Sequence, residues 1–189
     1  MRANLLGSDP EIWRTLDVDA SLSLRDLHQV LQIAFGWQES HLHNFRDTDP
    51  YSVSRGIPRI GRRPRVWVDE WSLGEDPQPD EEAESETTVL EAFQFDGPLW
   101  YEYDFGDGWL HRIDLIERAV ALPGEPRAAI VRGERRGPFE DSGGIGGYEE
   151  KRAIIADPGH PEHETITDWA RFVAGPWGSI DPEDADLDG

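Results

Sequence analysis

The sequence predicts one α+β domain, a mainly antiparallel sheet with about four flanking helices, and three observations carry that expectation. Alternating apolar and polar residues, the pattern of half-buried strands, run through Glu11–Val18, Leu99–Phe105 and Trp109–Val120. An amphipathic helix is written between Leu24 and Phe35, where Leu24, Leu27, His28, Leu31, Ala34 and Phe35 recur at three- and four-residue spacing. The remaining helical signals are too few to supply the crossovers of a parallel doubly wound sheet.

Taken in order, Leu5-Leu6 reads as the end of a strand whose first residues are missing or lie upstream, and Glu11–Val18 is the next strand. Ser21 or Ser23 caps the first helix and Gly36 stops it. His41–Arg46 and Arg65–Val68 read as strands. Ser72–Glu86, rich in Asp, Glu and Pro, is expected as a solvated mobile loop. Thr88 and Glu91 form a capping box for a short helix reaching about Phe93, after which Gly97-Pro98 marks a break. Leu99–Phe105 and Trp109–Val120, joined by Gly106-Asp107-Gly108, form a hairpin. A strand near Ala128–Arg132, the glycine-rich loop Gly143–Gly147 and helices over Tyr148–Ala156 and Thr165–Val173 follow. Residues 1–180 form the domain, and residues 181–189 an acidic tail.

The 189 residues include no cysteine, which removes disulfides, thiolate metal sites and cysteine nucleophiles and fits a reducing compartment. Eight Trp, seven Phe and four Tyr predict an aromatic-rich core. No apolar run reaches the roughly 18 residues of a membrane span, and the first ten residues lack the apolar stretch of a signal peptide, so a cytoplasmic location is expected. The net charge of −21 is concentrated in Asp69–Asp96 and Asp181–Gly189, which contain no basic residue, and reads as solvated surface. One basic stretch carries Arg55, Arg59, Arg62, Arg63 and Arg65; it is a candidate phosphate patch or a partner for the domain's own acidic segment.

The block Tyr101–Ile113, Y-E-Y-D-F-G-D-G-W-L-H-R-I, organises the domain. Pairing Phe105 with Trp109 sets Tyr103 against His111 and Tyr101 against Ile113, with Glu102 beside Arg112 on the other face. That register turns Asp104 away from His111 and gives Asp104 and Asp107 the work of holding the turn. His41 and His43, two apart on an expected strand, project from one face and can begin a metal site, with His111 and Asp104 as further candidate ligands. Glu140-Asp141, where a loop enters a helix, can hold a divalent cation or act as acid and base. His41, His43, Asp104, Asp107, Trp109, His111, Glu140, Asp141 and Tyr148 therefore form the candidate functional cluster. The glycine-rich loop lacks the Lys and Ser/Thr of a nucleotide-binding loop.

Ile12-Trp13-Arg14, Leu24 through His28, Phe35-Gly36-Trp37 with His41–Phe45, the block Tyr101–His111, and Glu140–Gly144 with Gly147–Glu149 together resemble the plasmid pRiA ORF-three-like family, also known as passenger TnpR-type proteins of an insertion sequence. The resemblance covers nearly the whole chain and implies a link with mobile DNA by gene neighbourhood. The family pattern P-P-E-D-C-G-G is altered here, with Phe139 for the second Pro and Ser142 for the Cys. The leading reading is a non-enzymatic protein-binding or adaptor module. The alternatives are a metal-dependent hydrolase or nuclease built on the His/Asp/Glu cluster, and nucleic-acid binding through Arg55–Arg65.

Overall fold

The first helix, α1 (Leu24–Phe35), starts where Ser23 accepts from the Asp26 amide while the Asp26 carboxylate accepts from the Ser23 amide, a complete capping box. It ends at Gly36, whose φ of 75° carries the chain through the left-handed region open to glycine. The residues of its apolar stripe, His28 included, are buried, as their spacing requires. The structure is a computed structural model, and it describes residues 1–52, 63–75, 78–94, 97–175 and 178–185.

The stripe of α1 faces one sheet of eight strands: β1 (Arg2–Leu5), β2 (Ile12–Val18), β3 (His43–Arg46), β4 (Val66–Val68), β5 (Glu81–Ala83), β6 (Leu99–Tyr103), β7 (Trp109–Asp114) and β8 (Ala128–Glu134). Their spatial order is β5-β4-β3-β6-β7-β1-β2-β8. Every pairing is antiparallel except β4 with β5. Four further helices, α2 (Glu70–Glu75), α3 (Val89–Ala92), α4 (Gly144–Ala156) and α5 (His163–Ala174), complete the expected α+β fold. The capping box of Thr88 and Glu91 opens α3 as its sequence specifies.

Three expectations are corrected. The hairpin pairs Tyr103 with Trp109, Tyr101 with His111 and Leu99 with Ile113. The shift is two residues because Asp104, at φ 52°, leaves the strand one step earlier than Phe105. A two-residue shift preserves parity, so Tyr101, Tyr103, Trp109 and His111 still share one face. Glu102 then lies opposite Leu110 and accepts from the Tyr51 hydroxyl at 2.5 Å, while Arg112 turns to Asp114 at 2.9 Å. Leu115–Val120 lies beyond the end of β7.

The second correction concerns Ser72–Glu86. Among its described residues, this segment contributes to α2, builds β5 and forms a 3-10 turn at Glu84–Glu86. Its charges find partners: Arg65 donates to both Glu82 oxygens at 2.9 and 2.5 Å, and Glu84, 2% exposed, meets His43 Nε2 at 2.8 Å. The third correction is at the C-terminus, where the residues after 180 are held at their start. Arg14 Nη2 donates to the Ala185 carbonyl at 3.0 Å, and Arg135 grips Glu183 with two bonds of 2.6 Å. Close backbone packing explains a glycine: a Cβ on Gly137 would sit 2.1 Å from the Phe35 carbonyl oxygen.

Candidate metal centre

Three loops meet at one end of the aromatic face: residues 37–42 after α1, residues 104–108 between β6 and β7, and residues 138–143 before α4. They are tied by hydrogen bonds among themselves. Trp37 Nε1 donates to the Pro138 carbonyl at 3.0 Å. Glu140 Oε1 accepts from the Gln38 amide at 2.9 Å and the Tyr103 hydroxyl at 2.8 Å, and the Tyr103 hydroxyl accepts from the Ser40 amide at 3.0 Å. Asp104 Oδ1 accepts from the Gly106 and Asp107 amides at 2.9 and 3.3 Å, and the Asp104 amide donates to the Leu42 carbonyl at 2.9 Å. Asp107 Oδ2 accepts from the Gly143 amide at 2.9 Å. Asp104 Oδ1 holds the turn in the way its sequence position suggests, whereas Asp107 Oδ2 ties the turn to the loop before α4.

The second oxygens of Asp104 and Glu140 converge with Asp141 on His41. His41 Nε2 lies 3.6 Å from Asp104 Oδ2, 3.7 Å from Glu140 Oε2 and 3.3 Å from Asp141 Oδ1. None of these contacts is a hydrogen bond, and His41 Nε2 and Glu140 Oε2 are buried atoms with no partner. Bonds of about 2.1 Å to a tetrahedral cation set donor-to-donor edges of about 3.4 Å, close to the distances from His41 Nε2 to each carboxylate. The donor atoms of His41, Asp104 and Asp141 lie within 4.8 Å of one another, so this trio is the tighter set and Glu140 joins it through His41. Asp104 and Glu140 are 7% and 5% exposed, whereas the Asp141 side chain is 75% exposed. The cluster is therefore walled on one side and open to water on the other.

Backbone strain gathers at the same place. Four non-glycine residues have positive φ among those described, and three of them, Glu39 at 55°, Asp104 at 52° and Asp141 at 55°, belong to these loops. Such conformations cost about 1–3 kcal/mol each and persist where surrounding structure imposes them.

Of the residues expected to ligate, the structure unites His41 and Asp104 and leaves out His43 and His111. The strand begins at His43, so His41 sits in the preceding loop and the two imidazoles do not share a strand face. His43 instead stacks on His28, with ring centroids 3.5 Å apart and planes inclined by 3°. His111 is fully buried between Phe35 and Trp37, with Nδ1 against the Trp109 carbonyl at 3.1 Å. Burial pushes its pKa down to about 3. His28, bonded through Nδ1 to the Tyr101 hydroxyl at 2.8 Å, is likewise pushed to about 3, first by burial and then by His43.

Trp109 and Tyr148 are core residues, at 0% and 1% exposure. Ser142, where the family pattern has Cys, is fully buried and donates to the Phe139 carbonyl at 2.5 Å. Arg55, Arg59 and Arg62 lie outside the described residues, while Arg65 pairs with Glu82 and covers the Trp67 ring at 4.8 Å. Tyr103 and Gln38, which orient Glu140, and Glu84, which anchors His43, were not singled out as site residues. Only the Tyr103-to-Glu140 contact had a trace in the sequence, an aromatic hydroxyl at the end of the hairpin strand.

An eight-stranded α+β sheet protein with a histidine–carboxylate cluster at its loop end is the class defined by these features. The chain belongs to the plasmid pRiA4b ORF-3-like protein family, whose model matches residues 1–189. It is 35% identical over 163 residues to uncharacterized protein y4hQ of Sinorhizobium fredii, covering 85% of this chain and 74% of that protein. It is also similar to the crystal structure of MM3350, a protein of unknown function from Methanosarcina mazei Go1, with a TM-score of 0.79 and 26% identity over 99% of this chain and 93% of the other. No helix among the described residues is long and apolar enough to cross a membrane.

Proposed function

We propose that the protein is a divalent-cation-dependent hydrolase centred on His41, Asp104, Glu140 and Asp141. The observation that carries this reading is the buried, unpartnered pair His41 Nε2 and Glu140 Oε2 facing two further carboxylates at ligand-edge spacing. Three carboxylates brought together without a cation repel one another and are costly to bury. An imidazole among them favours a first-row transition ion over Mg²⁺. The open side at Asp141 is what a catalytic metal needs for water and substrate, in contrast to a closed structural site. Elemental analysis of untagged protein, followed by a panel of ester, amide and phosphoester substrates, tests the reading. Metal-dependent turnover that disappears in Asp104→Asn supports it, and metal-free protein inactive on the whole panel refutes it.

A second reading, a protein-binding or adaptor module, is favoured by the β7–β8 connection, where Ile116, Val120 and Leu122 are 58%, 91% and 66% exposed. Binding of metal without turnover would return the protein to that role. An association with mobile DNA, implied by the family's plasmid origin, concerns gene neighbourhood and is compatible with either. Nucleic-acid binding is the weakest reading, because Arg65 is engaged by Glu82 and the net charge is −21.

A further inference from the structure

The three loops of the centre carry five carboxylates, Glu39, Asp104, Asp107, Glu140 and Asp141, and neither Lys nor Arg. A doubly charged ion offsets only part of that charge, and a ligating imidazole is neutral, so the mouth stays negative after loading. The nearby Lys151 is committed behind the loop: its Nζ donates to the Ser142 carbonyl at 2.9 Å and lies over the Trp169 ring at 5.3 Å. Centres that transfer phosphoryl groups surround the metal with cationic clamps that neutralise the phosphate oxygens. The exposed apolar residues on these loops adjoin the ligands in sequence. Phe105, next to Asp104, is 50% exposed, and Leu42, next to His41, is 43% exposed. The bond from the Asp104 amide to the Leu42 carbonyl ties together the two loops that carry these residues.

We infer that the substrate of this centre is a neutral or cationic acyl compound, an amide or ester bearing an apolar group, and not a phosphoester. This rests on the metal-dependent reading above. In the reaction, water oxygen bonds to the carbonyl carbon and the bond from that carbon to the leaving nitrogen or oxygen breaks. With His41, Asp104 and Asp141 holding the cation, Glu140, whose Oε2 has no hydrogen-bond partner 3.7 Å from His41 Nε2, takes the water proton and returns it to the leaving amine or alcohol. The products are a carboxylic acid and an amine or alcohol, with no redox change. Leu42 and Phe105 hold the acyl side chain, while Glu39 and Asp107 draw a positive group to the rim.

The probes are lysine, leucine and aspartate hydroxamates, which bind a metal as a carbonyl mimic does, and phenyl phosphate, titrated calorimetrically into Co²⁺-loaded protein. At low salt, lysine hydroxamate is expected to bind about tenfold or more tighter than aspartate hydroxamate, with the ratio shrinking as salt rises. Phenyl phosphate should bind more weakly than leucine hydroxamate. Glu39→Gln, a substitution at an exposed side chain, should narrow the lysine-to-aspartate ratio. Phe105→Ala should weaken leucine hydroxamate about fivefold while Co²⁺ affinity stays unchanged. Aspartate hydroxamate or phenyl phosphate binding as tightly as the cationic probe overturns the substrate class while leaving the metal centre standing. Protein that takes up no Co²⁺ removes the metal-dependent reading itself, and the two failures are distinguishable because Co²⁺ uptake is measured first.

Discussion

Acidification from pH 7 to pH 5 should weaken the fold by about 2 kcal/mol for each of two buried histidines. His28 and His111 are held at about 3 in the folded protein, against about 6.5 in an unfolded chain. Because the folded value is depressed, their contribution is full above pH 6.5 and is lost as pH falls from there toward 3, where the unfolded chain binds a proton that the folded chain refuses. Each unit inside that window is worth about 1.4 kcal/mol, so 1.5 units cost about 2 kcal/mol per histidine and about 4 kcal/mol together as an upper bound. Urea unfolding at the two pH values measures this directly. His28→Gln, which keeps a polar group facing the Tyr101 hydroxyl, should remove about half of the dependence. A stability unchanged between pH 7 and pH 5, or a loss untouched by His28→Gln, would refute the reasoning.

At Asp104 the two carboxylate oxygens separate stability from cation binding. Asp104→Asn retains an acceptor for the Gly106 and Asp107 amides and should cost under about 1 kcal/mol by urea titration while lowering cation affinity at least tenfold. Asp104→Ala loses the turn bonds as well and should cost about 2–3 kcal/mol. Tyr103→Phe withdraws the hydroxyl that Glu140 Oε1 and the Ser40 amide share; about 1–3 kcal/mol of stability and roughly tenfold in cation affinity should go with it. Gly137→Ala forces a methyl against the Phe35 carbonyl, 2.1 Å from the oxygen, and a thermal melt should record a loss of more than about 3 kcal/mol.

Local physics made much of this fold legible. The Thr88–Glu91 box, the serine cap of α1, resolved to Ser23 rather than Ser21, the α1 stripe and Gly36 each depend on neighbours within a few residues, and all occur as their spacing implies. The aromatic face of the hairpin was also legible, because parity survives a two-residue slip. The turn itself was not, since Asp104's left-handed backbone is stabilised by contact with Leu42 and the loop that follows, which are distant or downstream in the chain. Glu84 was hidden for a similar reason: an acidic segment reads as solvated until His43 and Arg65 are brought against it by the pairing of β3, β4 and β5. Candidate ligands were named from residue type, but choosing His41 over His43 and His111 required knowing that β3 begins at His43 and that β7 faces Phe35 and Trp37.

The convergence of three separated loops on one histidine is the core of the functional account, and it reduces to a single titration. Chelator-stripped protein should bind one Mn²⁺ or Zn²⁺ per chain by calorimetry, with affinity falling at least tenfold in both His41→Ala and Asp104→Asn and unchanged in His43→Gln. Absence of binding, or binding that His41→Ala and Asp104→Asn leave intact, would contradict the assignment of His41, Asp104, Glu140 and Asp141 as a metal centre.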